Sequence, residues 1–282
     1  MVRSKGTGRL RRYRLPVLLV AFTVVMLANA VVMRLVSPVV LLALPLGAAS
    51  AIAVVAGYRK LSQVVEQRAD IPELAAVRVW SQLWRGAVLG SGLFVALILL
   101  IGVFGGRQDV SWGSIGGCLG TAGLTASVAV TEEVLFRGVL FRITEERAGT
   151  AVALVLSSLI FGLTHSVNAE ATLWGVLSIA LTGGVLTTAA YVATRSLWLP
   201  IGLHFAWNFT HAGIFGVALS GSAEAPHGLL RTTLSGPAAL TGGAFGPEAS
   251  LIALLVCVVP TAVLLRRAAR TDRIRRRAEA AA

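Results

Sequence analysis

The chain has 282 residues, 56% of them hydrophobic and only 13% charged, and its formal charge is +12. A soluble domain carries about 25% charged residues, so there are too few charges here to coat a globule; disorder, a collagen repeat and a disulfide scaffold are excluded by the same composition. The basic residues stand in short blocks between apolar runs, which is a topology signal rather than a phosphate groove, and no nucleic-acid partner is expected.

A hydrocarbon core about 30 Å thick needs about 20 apolar residues in a helix. Arg3, Lys5, Arg9, Arg11, Arg12 and Arg14 precede a first span predicted at 15–34. Its apolar run, Leu15 to Met33, is longer than the roughly 7–15 residue core of a secretory leader, so it is read as a retained span. A second span is predicted at 38–57. The polar stretch 58–86 follows, with Arg59, Lys60, Arg68, Arg78 and Arg85. Spans at 87–105 and 115–141 come next. Gly113, Gly116, Gly117, Gly120 and Gly123 recur there at small-x-x-x-small spacing, the pattern of close helix packing in lipid. Further spans are predicted at 150–168, 172–193 and 197–218. The stretch 219–248 is rich in Gly, Ser, Pro and Ala and reads as a flexible loop. A last span at 249–265 precedes Arg266, Arg267, Arg270, Arg273, Arg275, Arg276 and Arg277. Cys118 and Cys257 lie in apolar runs and read as small buried hydrophobes.

Eight spans predict an all-α fold, a polytopic transmembrane helical bundle of a multi-pass cell-membrane protein. With both termini cytoplasmic, the inner segments 1–14, 58–86, 142–149, 194–196 and 266–282 hold most of the lysines and arginines. Arg34, Arg107 and Arg231 are left outside, as the positive-inside rule requires. The chain divides into 1–84, with the basic segment, two spans and an inner loop; a core at 85–218; and 219–282, with the outer loop, last span and basic tail.

Ionisable groups inside spans cost about 2.5–3.5 kcal/mol each on insertion scales, and they persist when paired or functional. Glu132, Glu133 and Arg137 lie in the fourth span, His165 in the fifth, and His204 and His211 in the seventh, with Asn208 beside them. Glu133 and Arg137 are i,i+4 and can form an ion pair, from which Glu132 is rotated by about 100°. Phe161 and His165 are also i,i+4, as are His204 and Asn208. The fourth and fifth spans form a hairpin turning near Arg147-Ala148-Gly149, which places Glu132 and His165 at nearly one level. Counted from Arg142, Glu132 is ~15 Å deep, and counted from Leu197, His204 is ~10 Å deep. The polar groups thus converge on one layer, in an intramembrane cavity expected in the cytoplasmic half.

These residues form recognisable motifs. Glu132-Glu133-Val134-Leu135-Phe136-Arg137 resembles the EExxxR motif of the CPBP intramembrane protease family, also called Abi, which includes type II CAAX prenyl endopeptidases and bacteriocin-immunity proteins. Phe161-Gly162-Leu163-Thr164-His165 is similar to its FxxxH motif, and His204-Phe205-Ala206-Trp207-Asn208 to its HxxxN motif. The resemblance covers about residues 85–218. It implies a bundle that hydrolyses a peptide bond within the membrane, with a peptide or protein substrate entering from the membrane or the cytoplasm. It also implies roles. Glu132, with His165, activates a water; His204 and Asn208 stabilise the oxyanion; Glu133, Arg137 and Phe161 support the site. His211 falls outside the motifs and has no assigned role.

Glu132, His165 and His204 also make a two-His, one-carboxylate set of the kind that binds Zn²⁺, although HExxH is absent. Metal-independent action is the favoured expectation, because one Glu serving as both ligand and base is hard to arrange. Two other classes use intramembrane Glu and His: a non-catalytic bacteriocin-immunity-type membrane protein and a proton-coupled transporter. The repeated halves of a transporter are not visible.

Overall fold

The computed structural model describes residues 11–36, 39–222 and 227–276. Arg3, Lys5, Arg9 and Arg277 lie outside the described residues. Helices α1 (Arg14–Val36), α2 (Val40–Val65) and α3 (Val79–Val103) come first, with two short 3₁₀ turns, Pro72–Leu74 and Ala76–Arg78, before α3. Strand β1 (Arg107–Trp112) leads to α4 (Ile115–Glu133), which passes through a π-helical stretch, Val134–Phe141, into α5 (Arg142–Leu163). A 3₁₀ turn, Thr164–Val167, follows. Then come α6 (Leu173–Ile179), a π turn at Ala180–Gly184, and α7 (Val185–Thr194). Helix α8 (Trp198–Asn208) also ends in a π stretch, Phe209–Phe215. Strand β2 (Leu230–Ser235), the short α9 (Ala238–Thr241) and α10 (Leu251–Arg270) complete the described chain.

Among the described residues six helices are long and apolar enough to cross a membrane. The one spanning 115–167 folds back at Gly149, where φ is 81° and ψ 168°. A glycine is needed there, because a side chain in that region of φ is strained. With its two arms and α8 counted, eight segments cross the bundle, and it is a helical, multi-pass membrane architecture. Leucines and valines stand exposed along the helices, as Leu35, Val95, Val155 and Val259 do. Trp80 and Trp84 mark one end of this apolar belt and Trp112 the other.

Close backbone approach holds the helices together. A Cβ on Gly123 would lie 2.2 Å from the Ala43 carbonyl oxygen, and one on Gly47 would lie 2.1 Å from that of Gly123, so α2 and α4 meet backbone to backbone. Helices α3 and α8 do the same: a Cβ on Gly202 would come within 2.3 Å of the Leu83 carbonyl oxygen. Small residues do this work in lipid, where apolar contact alone gives no drive to associate.

The two ends of the bundle differ. At the arginine-rich end, Glu66, Glu73 and Glu145 are buried, and each is bound by arginine: Glu66 by Arg142, Glu73 by Arg68 and Glu145 by Arg195. The Arg142 Nε donates to the Gly138 carbonyl at 2.8 Å, and the Tyr58 hydroxyl lies 2.8 Å from the same oxygen. The described tail turns back onto this end. Thr150 N–H donates to the Arg275 carbonyl at 3.0 Å, and Arg195 reaches the Arg273 carbonyl. At the opposite end β1 and β2 pair antiparallel, from Arg107 with Ser235 to Trp112 with Leu230.

Two expectations change. The stretch 219–248 is no structureless loop: it contributes β2, α9 and a plug whose Phe245 is buried against Gly175. The stretch 58–86 is largely helix. Helix α2 runs on to Val65, α3 starts at Val79, and Glu66 and Glu73 are pulled inside by their arginines.

Candidate active site

The first motif sits where α4 changes pitch. Glu132 and Glu133 close the α-helical part, and Arg137 lies within the π stretch. π turns leave backbone groups unmatched and are frequent at functional sites. Here two of them meet. The Arg137 Nη2 donates to the Gly184 carbonyl, in the second π turn, at 3.0 Å, while Nη1 bonds Glu133 Oε1 at 2.9 Å. The guanidinium is fully buried, and its carbon stands 4.6 Å from the centre of the Phe161 ring. Thus Phe161, the first residue of the second motif, packs on the cation of the first.

Adjacent carboxylates point apart by about 100° on a helix. Glu133 is wholly inside, whereas the Glu132 side chain keeps 16% of its exposure. His204, one turn and a half into α8, is set between them. Its Nδ1 is 2.8 Å from Glu133 Oε1, and its Nε2 is 3.8 Å from Glu132 Oε2. The Arg137-paired carboxylate can only accept, so Nδ1 carries a proton and Nε2 is the nitrogen presented to Glu132.

His165 lies just past the end of α5, in the 3₁₀ turn. Its Nδ1 is 3.0 Å from the Phe161 carbonyl oxygen. A carbonyl accepts only, so this contact also places the proton on Nδ1 and leaves the Nε2 lone pair free. Phe161, His165, His204 and Asn208 line one small cavity of about 40 Å³. Among the described residues the Asn208 side chain makes no hydrogen bond, so its amide is free to donate into that space. Glu132 is next to the cavity through His204 and does not itself line it, and Glu133 and Arg137 lie behind the wall. No hydrogen bond joins Glu132 to His165 among the described residues; the nearer imidazole to Glu132 is that of His204.

The cavity wall is completed by residues outside the three motifs. Ser220 and Glu248 contribute to its wall, and both belong to the segments that cover the opposite end. Asn168 Nδ2 donates to the Ser220 carbonyl at 2.6 Å, and the Trp174 indole to that of Ala249 at 2.7 Å, which ties this cover to the turn carrying His165.

Glu248 is a site residue that sequence reasoning missed. It stands alone in a small-residue stretch with no helical spacing to flag it. Trp207, inside the third motif, donates its indole N–H to Glu248 Oε1 at 2.8 Å, and Ser220 its hydroxyl to Oε2 at 2.6 Å. Burial pushes the Glu248 carboxyl up, but the His211 ring beside it and the bonds from Ser220 and Trp207 outweigh this and hold it below the usual carboxylate range. His211 is fully buried, stacked on Phe94 with ring centres 4.5 Å apart, and its Nδ1 is 3.9 Å from Glu248 Oε1. It therefore adjoins the site through Glu248.

As for a metal, the described residues bring no three His, Cys, Asp or Glu side chains together as a ligand set. Glu132, His165 and His204 do not form such a group among them.

A helical membrane bundle thus brings two imidazoles, an amide and the Glu248 carboxylate to one internal cavity, with Glu132 beside it. A family model described as type II CAAX prenyl endopeptidase Rce1-like matches residues 114–210, the segment that carries all three motifs. This match supports the CPBP-family resemblance, and with it a protease-family core. Neither the curated proteins nor the solved structures compared with the chain gave a match.

Proposed function

We propose that the chain is an intramembrane endopeptidase acting without a metal. The observation that carries this reading is His204, held by Glu133 on one nitrogen and facing Glu132 with the other, beside a cavity shared with His165 and Asn208. Glu132 takes a proton from a water as the water oxygen bonds to the scissile carbonyl carbon, and the His165 Nε2 accepts the water's second hydrogen bond and aims it. The carbonyl oxygen gains the negative charge. Asn208 donates to it, and so does His204 Nε2–H. Because the Nδ1 proton of His204 is committed to Glu133, the second donor exists only when the ring is an imidazolium. On collapse the C–N bond breaks, and Glu132 returns its proton to the leaving nitrogen. Arg137 and Phe161 hold Glu133 in place.

The test is hydrolysis of internally quenched apolar peptides by the purified protein in lipid nanodiscs. Cleavage is expected, abolished in Glu132→Ala and undiminished after exhaustive chelation. Activity that is lost to chelators and restored by Zn²⁺ overturns the metal-independent part. No cleavage of any peptide by well-folded protein points to the non-catalytic class.

A further inference from the structure

Five glutamates are buried among the described residues: Glu66, Glu73, Glu133, Glu145 and Glu248. The first four each have an arginine at 2.9 Å or closer. Glu248 has none. Its ion-pair partner among the described residues is His211 at 3.9 Å, and its two hydrogen-bond donors, Trp207 and Ser220, are neutral. Yet it is only 6% exposed. A buried charge left uncompensated is costly, and this fold elsewhere supplies the compensating cation. Glu248 also differs from the other four in position: it is the one on the cavity wall, with His165, His204 and Asn208. Both its oxygens accept from donors, an arrangement suited to the ionised form, and a carboxylate has about four acceptor positions, so room for further donors remains.

We infer that Glu248 is a cation subsite of this cavity, which takes the ammonium or guanidinium of a basic residue in the substrate. The cation supplies a close counter-charge where the fold places only the His211 ring, at 3.9 Å, and the charge-assisted bond fixes the register in which the peptide lies against His204 and Asn208. Trp207 and Ser220 orient the carboxylate: Trp207 lies one turn from His204 on α8, and Ser220 belongs to the cover. The word substrate here rests on the endopeptidase reading, but the ion site itself does not.

The test uses the full chain in nanodiscs and a series of apolar peptides in which one position at a time holds lysine or its uncharged counterpart norleucine. At one register the lysine peptide is expected to show a kcat/KM on the order of tenfold or more above its norleucine partner, the scale of one charge pair held out of water. That ratio should fall towards one in Glu248→Gln. Glu248→Lys should shift the preference to glutamate over glutamine at the same register. Binding of the same peptides to Glu132→Ala is measured in parallel. Preferential binding of lysine peptides with no cleavage by the wild type keeps the cation site and removes the endopeptidase reading. Equal cleavage and equal binding of lysine and norleucine peptides at every register removes the cation site and leaves the endopeptidase reading intact. Should the Glu248 variants fail to fold, competition in the wild type decides: n-butylammonium should displace a bound peptide at least tenfold more strongly than n-butanol, and equal displacement overturns the inference.

Discussion

His204 is asked to do two things at once. Its Nδ1 is spent on Glu133, so only a charged ring can stabilise an oxyanion through Nε2. Asn208 carries no such condition, and its amide is free. Asn208→Ala should therefore lower kcat by about 10²–10³ with KM little changed, because the bond forms in the transition state; steady-state kinetics on the quenched peptides measure this. A rise in KM at constant kcat would instead make Asn208 a binding residue. Arg137→Ala is a different kind of change. It removes the cation paired with the wholly buried Glu133, leaving that carboxylate only His204, and takes away one of the two side-chain donors to the Gly184 carbonyl. A loss of about 3–5 kcal/mol is expected, read as a large drop in melting temperature in detergent. Normal melting with activity abolished would move the pair into the chemistry. The Glu133–Arg137 contact was legible from i,i+4 spacing. The Glu133–His204 bond was not, because its partners are 71 residues apart and no local rule links them.

At the scale of elements, apolar length and arginine blocks were enough to mark the crossing segments and the hairpin at Gly149. The glycine pattern in α4 was also legible, and the backbone contact between Gly47 and Gly123 is its physical meaning. Gly202 tests the same principle across α3 and α8. With the Leu83 carbonyl oxygen 2.3 Å from a prospective Cβ, Gly202→Val should push the helices apart and cost about 1–3 kcal/mol. Because His204 lies two residues on, activity should fall with the melting temperature, and unchanged melting would mean that the helices yield freely. The π stretches after Glu133 and Asn208 were not legible. Their sequences are ordinary apolar helix, and the extra residue per turn is settled by tertiary partners such as Arg137 and Gly184. Strand β2 was missed because its partner β1 precedes it by more than a hundred residues, and a lone strand of Leu, Arg, Thr and Ser has no buried face to announce it.

For the whole molecule, the division into an arginine-rich end and a β-capped end is the feature from which sidedness follows. We propose that the arginine-rich end is cytoplasmic. Cysteines placed at positions 5 and 275 should then both be shielded from an impermeant thiol reagent in intact cells, while one at position 231, on exposed Arg231 of β2, should react. Reaction at 5 and 275 with protection at 231 reverses the orientation. Opposite sidedness of 5 and 275 gives an odd number of crossings.

The returning tail has a consequence in time. Thr150, which follows the Gly149 bend, donates its backbone N–H to Arg275, and Arg195 reaches Arg273. During synthesis the ribosome has finished the whole core, from α1 to α8, long before it reaches those acceptors. The Thr150 N–H at the bend between the two arms of the hairpin must therefore wait for its acceptor while α10 is inserted, whereas Arg195 already has Glu145. The arginine-rich end closes last, when the final helix has crossed and its tail can fold back. Assembly of this bundle thus ends with a latch, and a nascent chain stalled before residue 273 holds every motif of the site while its hairpin still lacks that closure.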